Sequence, residues 1–290
     1  MASRDQFQRF IFEHSQVRGA WVQLGESFRE IGSQAPYPDT VRGLMGEALA
    51  ASILMSSTLK FEGTLSIQAQ GEGPLRTLMA ECSHDRYIRG LARFDEHAVS
   101  EDSFHNLLGD GRMAITITPN KGSRYQGVVP REQDTLGGCL EDYFDRSEQI
   151  PTSLLLFADE HAAAGLMLQR LPGATDLPGA SEEDDDLWDR VNHLARTVEA
   201  SELLELDSET LLHRLFHEET VRLFDAEPVA FRCSCSRERT LGALEAIGSG
   251  ECYSILEEQG SIEMDCQFCH AHYRFDRNDI DHLFTGHTLH

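Results

Sequence analysis

The sequence predicts an α+β protein in three parts: a mixed N-terminal core domain over residues 1–180, an acidic helical linker over 181–231, and a small C-terminal domain over 232–290. Three observations predict it. In the first part, strand-like runs follow one another and are broken by helical patterns, instead of alternating with helices one for one, which favours α+β over a βαβ repeat. Two Pro-Gly turns and an acidic run then interrupt the chain at "LPGATDLPGASEEDDD", Leu171 to Asp186. Finally, two close pairs of cysteines, Cys233 with Cys235 and Cys266 with Cys269, lie in a tail of 59 residues, too short to build a sufficient core of its own.

Along the first part, "FQRFIFE" (Phe7 to Glu13) is aromatic and β-branched enough for a strand. From Pro38 to about Leu59 the residues Val41, Leu44, Met45, Ala48, Leu49 and Met55 recur at helical spacing, with Asp39 or Asp39-Thr40 as the expected cap. "GTLSIQAQG" (Gly63 to Gly71) alternates Leu65, Ile67 and Ala69 with polar residues, as a half-buried strand does, and "RYIRGLARF" and "RMAITITP" read the same way. Leu136, Leu140, Tyr143 and Phe144 predict a short helix that stops before Pro151, and "TSLLLFA" and "GLMLQRL" a strand pair.

In the linker, Ser181 can cap a helix whose first turn carries Glu182 to Asp185, where the helix dipole favours acids. Leu187, Val191, Leu194 and Val198 form one apolar stripe, and Leu211, Leu212, Leu215 and Phe216 belong to a second helical segment. Residues 181–231 hold 15 acidic and 4 basic side chains, a balance of -11 out of the chain's -24. The segment therefore has apolar faces to cover and strong self-repulsion, which makes it marginal on its own. A charge of -24 also repels phosphate backbones and anionic membranes.

The start, "MASRDQFQRFIFEH", has no apolar run of signal-peptide length, and the strongest apolar run, "SLLLFA", is far too short to span a bilayer. A cytoplasmic protein is expected, and there paired cysteines point to metal or redox chemistry. Zinc takes four ligands tetrahedrally and favours thiolate. Cys233, Cys235, Cys266 and Cys269 supply four donors and complete the shell for one zinc ion per chain. His270 and His272 are substitute candidates, Cys82 and Cys139 read as core residues, and Cys252 is ambiguous. Neighbouring thiolates can also be oxidised to a disulfide, which no longer offers anionic donors to a metal. Loss of zinc would then unfold a domain held mainly by it.

Other chemistries fit less well. A zinc-ribbon nucleic-acid binder predicts a basic face, yet residues 232–290 carry 10 acids against 5 basic residues. A thiol oxidoreductase would place its C-x-x-C at the start of a helix after a strand, whereas "CQFCHAHYRF" is followed by strand-like residues. "HEET" lacks the second histidine of a zinc protease, no G-x-S-x-G occurs, and "GDGRMA" leads into a strand-like run. The expectation is a protein that is not an enzyme.

The chain closely resembles the bacterial family of redox-regulated thirty-three-kilodalton heat-shock chaperonins. The resemblance is carried by "RFIFE" and "VRGAWVQL", by "LMGEALAASILMSSTLKFEGTLSIQAQGEGPL", by "YQGVVP", by "YFDRSEQIPT", and by the terminal "CSC" and "CQFC". It spans nearly the whole sequence. The resemblance implies an ATP-independent holdase, compact and largely inactive when reduced and zinc-loaded. It implies that oxidants convert the four ligands to disulfides, by position Cys233–Cys235 and Cys266–Cys269, and release zinc. The linker then unfolds, and a dimer holds unfolding client proteins until reduction passes them to ATP-dependent foldases. Cys252 lies outside the family's motif.

Overall fold

Strand-forming residues at the N-terminus make a hairpin: β1 (Gln6–Phe12) and β2 (Val17–Leu24) pair antiparallel, with Phe10 opposite Gly19. The computed structural model describes residues 4–58, 62–98, 103–172 and 182–285, with backbone alone for 182–185 and 285. A short helix α1 (Glu26–Gly32) follows, and Asp5 serves its free amides, accepting from the N–H of Gly25 at 2.9 Å and of Glu26 at 3.0 Å. In helix α2 (Asp39–Ser56) the cap falls one residue before the expected Asp39. Pro38 holds extended backbone, and its carbonyl accepts the first helical bond, from Arg42 N–H at 2.9 Å. Asp39 is thus the first helical residue, and its carboxylate pairs with Arg42 instead of capping.

The second sheet comes from β3 (Gly63–Gly71), β4 (Leu75–Ser83), β5 (Tyr87–Phe94), a short α3 (Phe104–Leu108), β6 (Gly111–Pro119) and β7 (Tyr125–Val129). Helix α4 (Leu136–Tyr143) runs into a π turn that Gln149 ends in left-handed backbone, just before Pro151. The expected hairpin of β8 (Thr152–Ala158) and β9 (Ala163–Arg170) then joins β2, giving the order β8-β9-β2-β1. Helix α2 is apolar on nearly every side because it packs in one core with residues of both sheets, where Met45, Leu49, Ile53 and Leu54 are fully buried. A Cβ on Gly46 would meet Ala158, Ala163 and Phe28 at 2.8–2.9 Å, so this helix approaches the β8–β9 hairpin where only a hydrogen fits. The mixed helix-and-sheet architecture is the α+β class that the sequence predicts.

The first sheet is apolar on its outer face too. Phe10, Phe12, Val17, Trp21, Leu166 and Leu168 belong to a second core, away from α2. Helices α5 (Glu182–Ala195), α6 (Ala200–Glu205) and α7 (Ser208–Phe216) cover it with Leu187, Val191, Leu203, Leu211, Leu215 and Phe216. Phe216 meets Phe12 edge-on at 5.1 Å between ring centroids. The Ser181 cap and most of the Pro-Gly boundary lie outside the described residues.

From α7 the chain runs on as a strap of three short strands, β10 (Val221–Leu223), β11 (Glu227–Pro228) and β12 (Ala230–Phe231). The first two pair with β1 and the third pairs with β5, so the strap borders both sheets. Glu227 fastens it, accepting from Arg9 and from Arg86, each at 3.0 Å. The chain from Cys233 onward forms a separate compact unit. It holds α8 (Arg237–Ile247), α9 (Ser249–Gln259), a hairpin of β13 (Ile262–Asp265) and β14 (His272–Phe275), and α10 (Arg277–Thr285).

Candidate metal centre

The two cysteine pairs arrive from different local structures. Cys233 and Cys235 sit just before α8, whose N-cap Ser236 accepts from Arg239 N–H at 3.2 Å. Arg239 reaches back to the Ser234 carbonyl at 2.8 Å, and Arg237 donates to the Arg274 carbonyl and to Asp279, both at 2.7 Å. These arginines tie the C-x-C stretch to the hairpin and to α10. Cys266 and Cys269 sit in the tight turn between β13 and β14. There Cys266 N–H donates to the Ala271 carbonyl at 2.9 Å, and His270 N–H to the Cys266 carbonyl at 2.8 Å, with His270 in left-handed backbone.

The sulfurs converge. Cys233 and Cys266 are 3.6 Å apart, Cys235 and Cys269 are 3.4 Å apart, and all four lie within 4.8 Å of one another. Tetrahedral zinc with bonds of about 2.3 Å requires sulfur separations of about 3.8 Å, so the four thiols fit such an ion. The unit's own core supports the arrangement with Leu244, Leu256, Ile262, Phe275 and Ile280.

Crowded thiols cannot all ionise without a cation, and they respond unequally. Burial pushes Cys233 up, and burial reinforced by neighbouring thiols pushes Cys269 far up. At Cys235 burial also acts upward, but donors led by the Tyr273 hydroxyl outweigh it and bring the thiol down to about 7. Tyr273, donating to Cys235 at 3.1 Å, is itself raised to about 12, mainly by that bond. A dication would remove the conflict by stabilising all four thiolates together.

The other candidates stand apart. His272 turns its Nδ1 to Asp265 at 2.8 Å, and neither it nor exposed His270 joins the group of four. Cys252 is buried among Leu244, Leu256 and Phe275, with its thiol 3.6 Å from the Leu244 carbonyl. Cys82 is buried against Ser56, and burial pushes it up to about 11. Cys139 is buried and raised as well. Sequence reasoning misses Tyr273. It belongs to no cysteine motif, and its link to Cys235 exists only once the hairpin is folded.

The family profile described as Hsp33 protein matches residues 5–276, a span that contains all four cysteines. The chain belongs to the Hsp33 family. It is 47% identical over 288 residues to the 33 kDa chaperonin of Pseudomonas aeruginosa LESB58, covering 99% of this chain and 96% of that relative. It is 48% identical over 283 residues to the 33 kDa chaperonin of Pseudomonas savastanoi pv. phaseolicola, covering 96% and 93%. The crystal structure of the 33 kDa chaperonin, an Hsp33 homologue, from Thermotoga maritima has the same fold, with a TM-score of 0.80 over 97% of this chain and 98% of that one at 19% identity. As an Hsp33 member the chain is a chaperone and not an enzyme. Among the described residues no helix is long and apolar enough to cross a membrane.

Proposed function

We propose that this Hsp33 member is a redox-regulated, ATP-independent holdase built of three working regions: the core 1–180, a metastable linker 181–231 and a zinc redox switch 232–290. The observation that carries the proposal is the convergence of four thiols within 4.8 Å in a unit with a small core. Cys233, Cys235, Cys266 and Cys269 would hold one zinc ion, which supplies the charge that keeps four thiolates together. Structural zinc contributes roughly 10–16 kcal/mol to small domains, far more than so small a core can replace.

Oxidation removes the donors. With hydrogen peroxide as oxidant, one thiolate attacks a peroxide oxygen, the O–O bond breaks, and a sulfenic acid and hydroxide result, the hydroxide taking a proton from solvent to become water. A second thiolate then attacks the sulfenic sulfur, the S–O bond breaks, hydroxide leaves and is protonated by solvent, and the disulfide forms. Each disulfide releases two electrons, taken up by one peroxide. The family resemblance favours pairing within each half, Cys233–Cys235 and Cys266–Cys269. The metal leaves with its donors, and the unit loses its staple.

The linker is the second element. It carries 15 acidic and 4 basic side chains while its helices cover the outer face of the first sheet. Once it loosens, Phe10, Phe12, Trp21 and the apolar faces of α5–α7 become available to unfolding client proteins. Its charge keeps the complexes dispersed. The active form is a cytoplasmic dimer that returns clients to ATP-dependent foldases after reduction.

The test is light scattering of a heat-unfolding client, with the chain added reduced and zinc-loaded or after oxidation by warm peroxide. Suppression by the oxidised form alone is expected. Equal suppression by both would remove the switch, and none by either would remove the holdase. A companion measurement fixes the ligand set: Cys252→Ser keeps one zinc per chain, whereas Cys266→Ser lowers zinc binding.

A further inference from the structure

The four sulfurs are not equivalent, because one of them receives a side-chain hydroxyl. Tyr273 lies on β14 opposite Met264 on β13, and its half-buried ring packs against the core of the unit. The hydroxyl reaches out of the hairpin that carries Cys266 and Cys269 and donates to Cys235 at 3.1 Å, in the other half of the group. The tyrosine therefore joins the two halves without being a ligand.

We propose that Tyr273 is the positioning residue that sets the order of oxidation, by holding back Cys235 through this hydrogen bond. The inference rests on the zinc-switch reading above. With a dication in place all four sulfurs are thiolates, so a donor no longer changes how much thiolate exists. It changes how available the sulfur lone pair is. A hydrogen bond to an anionic sulfur must be weakened when that sulfur attacks an oxidant, because sulfenic sulfur is a poorer acceptor than thiolate. Partners beyond the ligands tune metal sites in the same way. The reaction concerned is attack on a hydroperoxide, in which the peroxide O–O bond breaks, one oxygen passes to sulfur and the other leaves as hydroxide or alkoxide, protonated by solvent. In the native chain Cys235 is then not the first sulfur oxidised.

The experiment uses the full chain, reduced and zinc-loaded, as wild type and as Tyr273→Phe. Both are exposed to hydrogen peroxide, quenched by alkylation at intervals, and read by mass spectrometry for each cysteine, with zinc release followed by a chromogenic chelator. Tyr273→Phe keeps the ring and removes the donor. The ratio of Cys235 to Cys266 oxidation rates should rise roughly three- to tenfold, and zinc release should quicken. A control is Tyr253→Phe, which loses a hydrogen bond to Asp281, 2.7 Å long in the native chain, in the same unit. It should leave that ratio unchanged. An unchanged ratio in Tyr273→Phe, whether all cysteines quicken together or none does, overturns the proposal. A wild-type chain that binds no zinc overturns the zinc reading and this proposal with it, and the chelator readout tells that outcome apart from an unchanged ratio in a zinc-loaded chain.

Discussion

Residues 1–232 and 233–290 solve the same problem in opposite ways. The first unit has a long buried helix between two sheets, with Met45, Leu49, Ile53 and Leu54 wholly out of water, and a second apolar layer outside one sheet. Among the described residues, the core of the second unit has six buried apolar side chains: Leu244, Cys252, Leu256, Ile262, Phe275 and Ile280. Burial spread over dozens of residues cannot be withdrawn by one chemical event. Stability concentrated in four sulfurs can. The difference teaches where the proposed switch belongs: in the part with the smaller core.

The largest expected effect is the one that breaks this contrast outright. If the four thiols hold zinc as proposed, removing it from the reduced chain with a strong chelator should cost the second unit about 10–16 kcal/mol and unfold it. The inner core of the first unit should survive. Hydrogen exchange resolved by segment would report fast exchange in 233–285 with continued protection of α2. Continued protection of both would show that six apolar side chains suffice and that the metal is dispensable.

Next come changes at the layer between sheet and linker. Phe216 is buried against Phe10 and Phe12, so Phe216→Ala should cost about 3–5 kcal/mol. Because the loss falls on the cover and not on the inner core, the variant should bind a hydrophobic dye and suppress client aggregation while still reduced. If its melting falls but reduced chaperone activity stays at the wild-type level, the covered face is not the client surface.

A smaller effect belongs to the strap. Glu227→Gln removes the charge between Arg9 and Arg86, and Arg86 has only 10% of its side chain exposed. Glu227 itself is 32% exposed, which softens the loss to about 1–3 kcal/mol. The strap ends at Phe231, two residues before Cys233, so its loosening should appear first as faster exchange at Val221–Phe231. Unchanged exchange there would mean that backbone pairing alone holds the strap.

Much of this is legible in sequence, for identifiable reasons. The alternation in Gly63–Gly71 and the helical period around Met45 are local patterns, and both elements form. Strand β9 is legible as a partner of β8, but not as a strand covered on both faces, because the cover comes from helices further along the chain. The strap is illegible. Its strands are two or three residues long and exist only because β1 and β5 offer edges. The four thiols can be grouped from spacing, and their convergence within 4.8 Å agrees with that grouping. Tyr273 cannot be found, since nothing local marks a tyrosine that donates across 38 positions. Asp39 stands one residue past the true cap because Pro38 already supplies the extended backbone that a cap requires.

The smallest prediction separates the two units by the sign of their pH dependence. Metal binding needs the four thiols deprotonated, so the second unit should lose stability as pH falls. In the first unit burial raises Glu47 of α2 from 4.5 to about 7. The folded state then holds a proton that the unfolded chain gives up near 4.5, so the contribution is whole below that pH and is lost as pH rises through about 7. Part of the side chain still reaches solvent, which limits the loss to about 1–2 kcal/mol. Glutamine is neutral throughout and keeps the shape. Glu47→Gln should therefore match the wild type at pH near 4.5 and melt several degrees higher at pH above 7, read on the transition of the first unit. An equal shift at both pH values would mean that the carboxyl is charged in the folded chain, and the first unit would then lack the opposite slope that this contrast requires.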